Sequence, residues 1–487
     1  MKTILLVPTG ESVGLASACL GLIYALDCQG IKAGFLKPFA QEPHATTDRT
    51  TALYRHLFNN ETVEPISHAM VTRRLSRDEN DELLEDAVRL HRDIAKKHDL
   101  IIVEGLVPNS HNSFASELNA ALAKALDAKV VIVSTADIQN PKATAEKIEA
   151  QIRNFGGTNN ERTAGVLFMR TKGLPADSAQ VPVTIDPSLR LISDINTFSV
   201  ELQKQNTHIG SASFPIIGLV PFSNTLSVPR MSDLVAHISA HWINEGDAQQ
   251  RRVLHSSLIA SNIEHELHKF VAGELIVSAS DRIDVLLASS LASSNGIPLA
   301  GLILTEHHHP NEQVLDFCQT AIKQGLPIAH TPLSTFEAAQ ELANLSNEIP
   351  IDDTERADQV TRFVSSHIDP EWITQLINGS YQSRLSPSAF RHELVQKSIA
   401  AKKRIVLPEG DEPRTIQAAA ICQARGIAQC VLLAKPEAVI EVAKARGIEL
   451  PYDLEIIDPD LIRDNYVEKM VELRKGKINE LQAREQL

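Results

Sequence analysis

The chain has 487 residues, 43% of them hydrophobic and 22% charged, a composition typical of a globular protein with more than one core. Its formal net charge is −14 and only 4% of its residues are aromatic. Such a chain is a poor match for a protein that binds nucleic acid or a membrane surface, and we expect neither partner. The five cysteines show no CxxC spacing, which predicts reduced thiols and a cytoplasmic location.

The first predicted strand is the apolar run Lys2–Val7, which is too short for a signal peptide or a membrane span. A glycine-containing turn, residues 8–14, and a helical pattern over Leu15–Leu26 follow, in the order of a phosphate-binding loop. A working loop continues with Lys and Ser or Thr, but Leu15 and Ala16 stand here. Three interpretations stay open: an ATP-hydrolysing site, weak sensing of a nucleotide or anion by backbone N–H groups, and a structural relic.

Five further strands are predicted before residue 222, with helical segments between them. This alternation indicates a doubly wound parallel sheet, an α/β fold that binds ligands beyond the carboxyl ends of its strands. Lys37 and Glu104 both stand at such strand ends. The candidate anion- or nucleotide-binding residues are these two together with four from the loop, namely Thr9, Gly10, Ser12 and Gly14.

Residues 1–225 resemble dethiobiotin-synthetase-like P-loop proteins. The resemblance rests on the segments VPTGESVG, FLKP, VEGLVP, GVLF and IIGLVPF, which occur in that family's order. It implies a P-loop-like doubly wound parallel sheet. An ATP-dependent ligase of the dethiobiotin type is one function such a domain performs, and Leu15 and Ala16 disfavour it here.

A linker over Ser223–Pro229 leads into a second region. A strand over Leu275–Ser278, a helix over Val285–Ser294 and a strand over Gly301–Thr305 follow, and residues 230–375 resemble the small α/β DRTGG-type domain. The three histidines at 307–309 invite either a metal site or an exposed loop. Since no cysteine lies at ligand spacing and Glu306 is the one nearby carboxylate, we expect the loop and no metal.

A second linker, Asn378–Ser380 and Ser386–Ser388, precedes the last region. There, Ile405–Leu407 reads as a strand and Cys430–Leu433 as the next one, in a right-handed parallel crossover. The helix between them is predicted to begin with Asp411 as its N-cap and Pro413 in its first turn, and to end at Gly426.

Arg414 lies in the first turn of that helix, where a cation opposes the helix dipole and a bound anion would account for it. Further on, Glu455–Ile457 is a predicted third strand. A long helix over 461–475 follows, with Ile462, Tyr466, Met470 and Leu473 predicted on one apolar face. Arg474 lies near the end of this helix, where the dipole alone accounts for a cation.

Residues 388–487 resemble the catalytic domain of phosphate acetyltransferases through KRIVLPEGDEPRTIQAAAICQARGIAQCVLL, EIIDP and YVEKMVELRKGK. With both upstream domains in order, the chain resembles the long bacterial form of that family. This implies reversible acetyl transfer from acetyl-CoA to inorganic phosphate, giving acetyl phosphate and CoA, with coenzyme A as a substrate and no cofactor. Arginines bind the anions in this family, and Arg414 of PEGDEPR and Arg474 of ELRKGK match its motifs.

The sequence ends at Leu487 within a helical pattern that has no stop signal. Because the family's catalytic domain continues further, we expect the catalytic residues beyond Leu487 and little turnover by these 487 residues. A short parallel sheet with uncovered apolar edges predicts a homo-oligomer. The alternative function is a regulatory or assembly fragment without catalysis, binding a small anionic metabolite or a nucleotide.

Overall fold

A computed structural model of the chain describes residues 2–43, 47–157, 160, 162–172, 187–378, 386–475 and 477–486. The chain divides into two compact units, one of Met1–Leu83 with Leu90–Ser383 and the other of Leu84–Arg89 with Arg384–Leu487. Within the described ranges, no helix is both long enough and apolar enough to cross a membrane. Gly379 and Ser380 of the predicted second linker lie outside the described residues, as does Leu487.

Six strands form the first sheet: β1 (Lys2–Pro8), β2 (Ala33–Leu36), β3 (Leu100–Glu104), β4 (Lys129–Asp137), β5 (Thr163–Lys172) and β6 (Ile216–Pro221). They are all parallel and lie in the order β2-β3-β1-β4-β5-β6. The central strand β1 is buried on both faces, which agrees with its unbroken apolar sequence. The predicted doubly wound parallel sheet is confirmed.

Seven helices connect these strands: α1 (Leu15–Cys28), α2 (Arg49–Phe58), α3 (His68–Ser76), α4 (Asn80–Ala95), α5 (Ala115–Ala125), α6 (Pro141–Arg153) and α7 (Pro187–Gln205). Helix α1 begins at the residue that the sequence predicts. Most of its side chains, among them Ala18, Cys19 and Leu22, are fully buried. The loop before α1 is therefore anchored on both sides by buried elements.

The second sheet has five strands: β7 (His241–Asn244), β8 (His255–Leu258), β9 (Glu274–Ala279), β10 (Gly301–Thr305) and β11 (Ile328–His330). Their order is β7-β11-β10-β9-β8, and only β7 runs antiparallel to its neighbour. The helices of this part are α8 (Met231–His237), α9 (Ile263–Glu266), α10 (Ile283–Ser294), α11 (Glu312–Phe317), α12 (Gln319–Lys323) and α13 (Thr335–Ala343). The predicted α/β architecture of this region is thus confirmed, and its sheet has hydrophobic clusters of its own.

Two helices after the second sheet, α14 (Thr354–Ser365) and α15 (Pro370–Asn378), pack into the core of the first. Val364 and Trp372 belong to that core, and the Asp369 N–H donates to the Ile217 carbonyl at 2.8 Å. A side chain at Gly21 of α1 would collide with Val364, so the glycine permits close packing of α1 on α14. The second region as predicted, 230–375, includes α14 and most of α15, and its limits stay a prediction.

The third sheet is parallel, in the order β12-β13-β14, with β12 (Arg404–Leu407), β13 (Gln429–Leu433) and β14 (Glu455–Ile457). The helices around it are α16 (Pro387–Ala401), α17 (Pro413–Ala424), α18 (Pro436–Arg446), α19 (Pro459–Ile462), α20 (Asp464–Leu473) and α21 (Glu480–Gln486). The parallel pairing predicted for the first two strands is confirmed.

One predicted helix of this region, 461–475, is wrong in its continuity and in its buried face. Two helices, α19 and α20, meet at Arg463, whose guanidinium pairs with Asp460 at 2.8 Å. Tyr466 and Leu473 are exposed, and Val467 is the buried residue of α20 instead. The apolar spacing is real, but α20 packs against α21 and so buries a different side of the helix.

Candidate functional site

The turn between β12 and α17 lies at the carboxyl edge of the third sheet. The Gly410 N–H approaches the Leu433 carbonyl at 3.3 Å. A Cβ on Gly410 would lie 2.8 Å from the backbone of Leu433, closer than real Cβ contacts. Glycine is therefore required here, because it lets this turn reach the end of β13.

Glu412, rather than the predicted Asp411, is the N-cap of α17. Its side chain accepts a hydrogen bond from the Thr415 N–H at 2.9 Å. The physical reason is Pro413, which occupies the first helical position and thereby makes the preceding residue the cap. A residue before proline also prefers the extended conformation that an N-cap needs, and Glu412 adopts it, at φ −75° and ψ 129°.

The buried face of α17 fixes the direction of Arg414. Ile416, Ala419 and Ala420 are buried, as their spacing predicts, and the helix packs against β13. Arg414 lies on the exposed side, and within the described residues its guanidinium forms no ion pair or hydrogen bond. An unpaired cation thus lies beside the first turn of a helix, where free N–H groups also favour an anion.

Arg474 is the C-cap residue of α20. Its N–H donates to the Met470 carbonyl at 3.0 Å, and its side chain is exposed. Among the described residues no ion pair involves this guanidinium. The structure therefore places Arg414 at the carboxyl edge of the sheet and Arg474 at a helix end, and the ligand roles of both stay predictions.

The glycine loop of the first sheet has the backbone shape of an anion-binding turn. Ser12 and Gly14 have positive φ values of 56° and 83°, and the space around Gly10 is open. The Thr9 hydroxyl donates to Ser134 at 3.0 Å, which ties the loop to β4. Gly14 caps α1 without a side-chain hydrogen bond. An anionic ligand for this loop stays a prediction.

The structure brings Lys37 into contact with Glu104 and with a third residue, Asp48. The Lys37 Nζ lies 2.8 Å from Asp48 Oδ2 and 3.0 Å from Glu104 Oε1. These side chains are 5%, 7% and 5% exposed respectively. The Thr50 hydroxyl donates to the same Glu104 oxygen at 3.2 Å. We call Lys37, Asp48 and Glu104 the Lys37 cluster.

Electrostatics in the Lys37 cluster hold the lysine charged. Burial acts to lower the pKa of Lys37, but Glu104 and Asp48 outweigh it and raise that pKa. Burial opposes ionisation of Asp48, yet Lys37 and Thr51 bring its pKa below the usual range. Burial raises the pKa of Glu104 against the attraction of Lys37, and its Oε2 has no hydrogen-bond partner among the described residues. The lysine charge is thus already compensated by carboxylates.

Asp48 and Thr50 were not among the predicted site residues, although the sequence contains a signal for Asp48. Asp48 precedes the helical pattern of α2 and caps it, accepting from the Thr51 N–H at 3.0 Å. An N-cap aspartate can thus be predicted from sequence. Its pairing with Lys37 is a tertiary contact that no local pattern encodes.

The three consecutive histidines lie after β10. The His309 ring lies 4.3 Å from the buried ring of His330, which hydrogen-bonds the Glu306 carbonyl at 2.9 Å. Across the part of the chain that the structure describes, no group of three or more His, Cys, Asp or Glu residues could hold a metal ion.

Three family models match successive parts of the chain: "AAA domain" over residues 2–230, "DRTGG domain" over 233–345 and "Phosphate acetyl/butaryl transferase" over 389–487. The phosphate acetyltransferase of Acinetobacter baylyi is 71% identical over 487 residues, which is 100% of this chain and 68% of that protein. Those of Pseudomonas aeruginosa and Escherichia coli are 42% and 38% identical, each with 100% of this chain and 68% of the relative covered.

Proposed function

The chain belongs to the phosphate acetyltransferase family, and on that premise we propose how its residues serve the family's reaction. The reaction transfers an acetyl group reversibly from acetyl-CoA to inorganic phosphate. A phosphate oxygen attacks the thioester carbonyl, so a C–O bond forms and the C–S bond breaks. Acetyl phosphate is released, and the CoA sulfur leaves with the electron pair of the broken bond and takes up a proton.

Both substrates are anions, which sets the demand on the protein. The attacking phosphate must lose water and be held by cations and N–H donors. We propose that Arg414 supplies such a cation, together with the N–H groups at the start of α17. The observation that carries this proposal is an exposed guanidinium that forms no ion pair among the described residues and lies in the first turn of α17, at the carboxyl edge of a parallel sheet.

Arg474 is the second proposed anion-binding residue, for the phosphate groups of coenzyme A. Its exposed side chain at the end of α20 supports this role, although the helix dipole is a sufficient reason for a cation there. We propose coenzyme A as a substrate, with no separate cofactor.

The test is acetyl-CoA binding, measured by titration calorimetry on the chain and on Arg414→Ala. Hydrogen bonds to charged groups contribute about 1.5–3 kcal/mol, so we expect the dissociation constant to rise roughly tenfold or more. Arg446→Ala is the matched control, because Arg446 is also exposed but lies in the last turn of α18. Equal affinity of Arg414→Ala and the parent chain would contradict the proposal.

Phosphate-dependent CoA release, followed in the same samples, gives an independent readout of the chemistry. Robust turnover would show that these 487 residues hold the groups that the reaction needs.

Self-association and a cytoplasmic location are further parts of the proposal. Strand β12 is an edge strand whose Ile405 and Val406 are 46% and 48% exposed, and such edges favour pairing with a second copy. All five cysteines are free thiols, in keeping with a reducing compartment. A monomer mass measured by light scattering would contradict the proposed self-association.

A further inference from the structure

A second group of cations lies on the carboxyl edge of the first sheet, apart from the Lys37 cluster. It occupies a cleft beyond the ends of β5 and β6, bounded by the start of α1 and by α14. Arg170 and Arg356 line this cleft, together with Gly14 and Ser17. We call it the arginine cleft. Its remaining walls are mostly apolar, and Phe222 is 41% exposed.

Arg170 lies at an irregularity of β5. Its φ of 50° is in the left-handed region, which is costly for a residue with a Cβ. The registers of β5 with both neighbouring strands shift around residues 168–172, and such bulges redirect side chains. Within the described residues the Arg170 guanidinium forms no hydrogen bond and no ion pair. The fold thus holds an arginine in a costly backbone conformation, and no hydrogen bond or ion pair of its side chain within the described residues accounts for it.

Arg356 lies in the first turn of α14 and is only 5% exposed. Its Nε donates to the Leu226 carbonyl at 2.9 Å, and its Nη2 donates to the Asn347 carbonyl at 3.0 Å. These two bonds fix the plane of the guanidinium. In the described part of the chain no carboxylate pairs with it, so a buried charge lacks a counterion, which is normally unfavourable.

Burial disfavours the charge of both arginines, and Arg356 also feels the charge of Arg170. Burial lowers the pKa of Arg170 and, more than any other cause, that of Arg356, and the Arg170 charge lowers the pKa of Arg356 further. The carboxylate that attracts Arg170 is Glu348, which is already ion-paired with Arg49 and is 58% exposed. Asp353 attracts Arg356 but is paired with Arg252 at 2.8 Å. The cleft therefore carries an excess of positive charge.

The start of α1 adds to this field. The helix has 14 residues, no side-chain hydrogen bond at its Gly14 cap and no acidic residue in its first turn. Its positive end is therefore uncompensated by a side chain. Gly14 and Ser17 line the same cleft as the arginines, so three separate sources of positive potential converge on one space.

We propose that the arginine cleft binds a phosphate monoester. The phosphate would be held by Arg170, by the pre-oriented Arg356 and by the N–H groups at the start of α1, since arginine forks match phosphate oxygens in geometry. The organic part would lie along the apolar wall that includes Phe222. This site is independent of the proposed role of Arg414, which belongs to the other compact unit.

The competing explanation is that both arginines serve stability alone, and the experiment separates the two. Arg170→Gln is the main variant, because Arg170 makes no hydrogen bond among the described residues and its loss should not unfold the chain. Arg362→Gln is the control, since Arg362 is an exposed arginine of α14 paired with Asp358 on the same helix. All variants carry Arg414→Ala, so that phosphate bound at the substrate site does not contribute.

The measurements are thermal unfolding and calorimetric binding of inorganic phosphate and of phenyl phosphate, with sodium chloride at equal ionic strength as the reference. We expect both phosphates to raise the unfolding temperature, and phenyl phosphate to bind more tightly. In Arg170→Gln we expect binding at least about tenfold weaker, while the ligand-free protein is as stable as its parent or more so.

The conservative variant Arg170→Lys should recover part of the affinity, because it restores the charge without the fork. Two results would overturn the proposal. One is equal phosphate binding by Arg170→Gln and Arg362→Gln. The other is a marked loss of ligand-free stability in Arg170→Gln, which would assign the arginine to the fold. Arg356→Lys gives a second test at the buried position.

Discussion

Two groups of charged residues lie on the carboxyl edge of the same six-stranded sheet, and they differ in compensation. In the Lys37 cluster one ammonium lies within 3.0 Å of each of two carboxylates. In the arginine cleft two guanidinium groups line one space without an ion pair to either, as far as the described residues go. A position at the end of a strand therefore does not by itself make a ligand site. Whether a charged group there binds a ligand depends on whether its buried charge is already compensated.

The two groups should therefore respond to substitution in opposite ways. A compensated buried charge stabilises the fold only as long as all partners are present. An uncompensated buried charge lowers the stability of the ligand-free protein, and binding of a counterion restores that stability. Changes in the Lys37 cluster should lower the free energy of unfolding, and changes in the arginine cleft should lower ligand affinity.

The largest expected effect is that of Lys37→Met. It leaves Asp48 and Glu104 buried together without a cation, and removing one partner of a buried ion pair costs about 3–5 kcal/mol. The free energy of unfolding, from urea denaturation at neutral pH, measures it. Lys147→Met on the exposed face of α6 is the control and should change that value by less than about 0.5 kcal/mol.

Lowering the pH should reduce the difference in the free energy of unfolding between Lys37→Met and the parent chain. In the parent, the pKa of Asp48 is below its unfolded value, so its contribution is complete above about pH 4 and is lost as the pH falls through the folded pKa. In the variant the two carboxylates repel, so the folded state takes up protons more readily than the unfolded state. A stability gap that stays constant from pH 7 to pH 4 would show that these carboxylates do not govern it.

Glu104→Gln should have a smaller effect, about 1–3 kcal/mol. It weakens one partner of Lys37 but keeps Asp48, and the Oε2 atom that changes has no hydrogen-bond partner to lose. Urea denaturation again gives the value. If Glu104→Gln proved as harmful as Lys37→Met, the two carboxylates would not share the lysine as the distances indicate.

The smallest expected effect lies in the arginine cleft. Glu348→Gln removes the exposed carboxylate that attracts Arg170, so phosphate affinity should rise about two- to threefold, as for other exposed charge pairs. Calorimetric titration with inorganic phosphate in the Arg414→Ala background measures it. Glu146→Gln, an exposed position on α6, should leave the affinity unchanged. A decrease in affinity on Glu348→Gln would mean that the carboxylate orients the site.

The elements that the sequence predicts correctly are those whose signals lie within a short stretch of the chain. The limits of β10 and β14 agree with the predicted strands, because the apolar residues of each are bounded by polar or turn residues. The N-cap of α17 was missed by one residue, since two acidic residues precede Pro413 and only the second one directly adjoins it. The preference of the residue before a proline for the extended conformation is the signal that identifies Glu412 as the N-cap.

The charged groups, by contrast, depended on tertiary contacts. Arg356 follows Arg170 by 186 positions, and nothing near either residue in the sequence points to the other. Lys37 and Glu104 were both predicted at strand ends, yet their pairing with each other and with Asp48 depends on the folded arrangement. The same holds for α14, whose amphipathic pattern does not say which sheet it covers.

The return of α14 and α15 to the first core also bears on synthesis of the chain at the ribosome. The face of α1 that α14 covers is made within the first 28 residues, whereas α14 ends at Ser365. At about 5–20 residues per second, translation of the intervening chain takes roughly 20–70 s. During that time an apolar helix face is exposed in the nascent chain, which makes the first domain a natural client for a chaperone that binds emerging apolar segments.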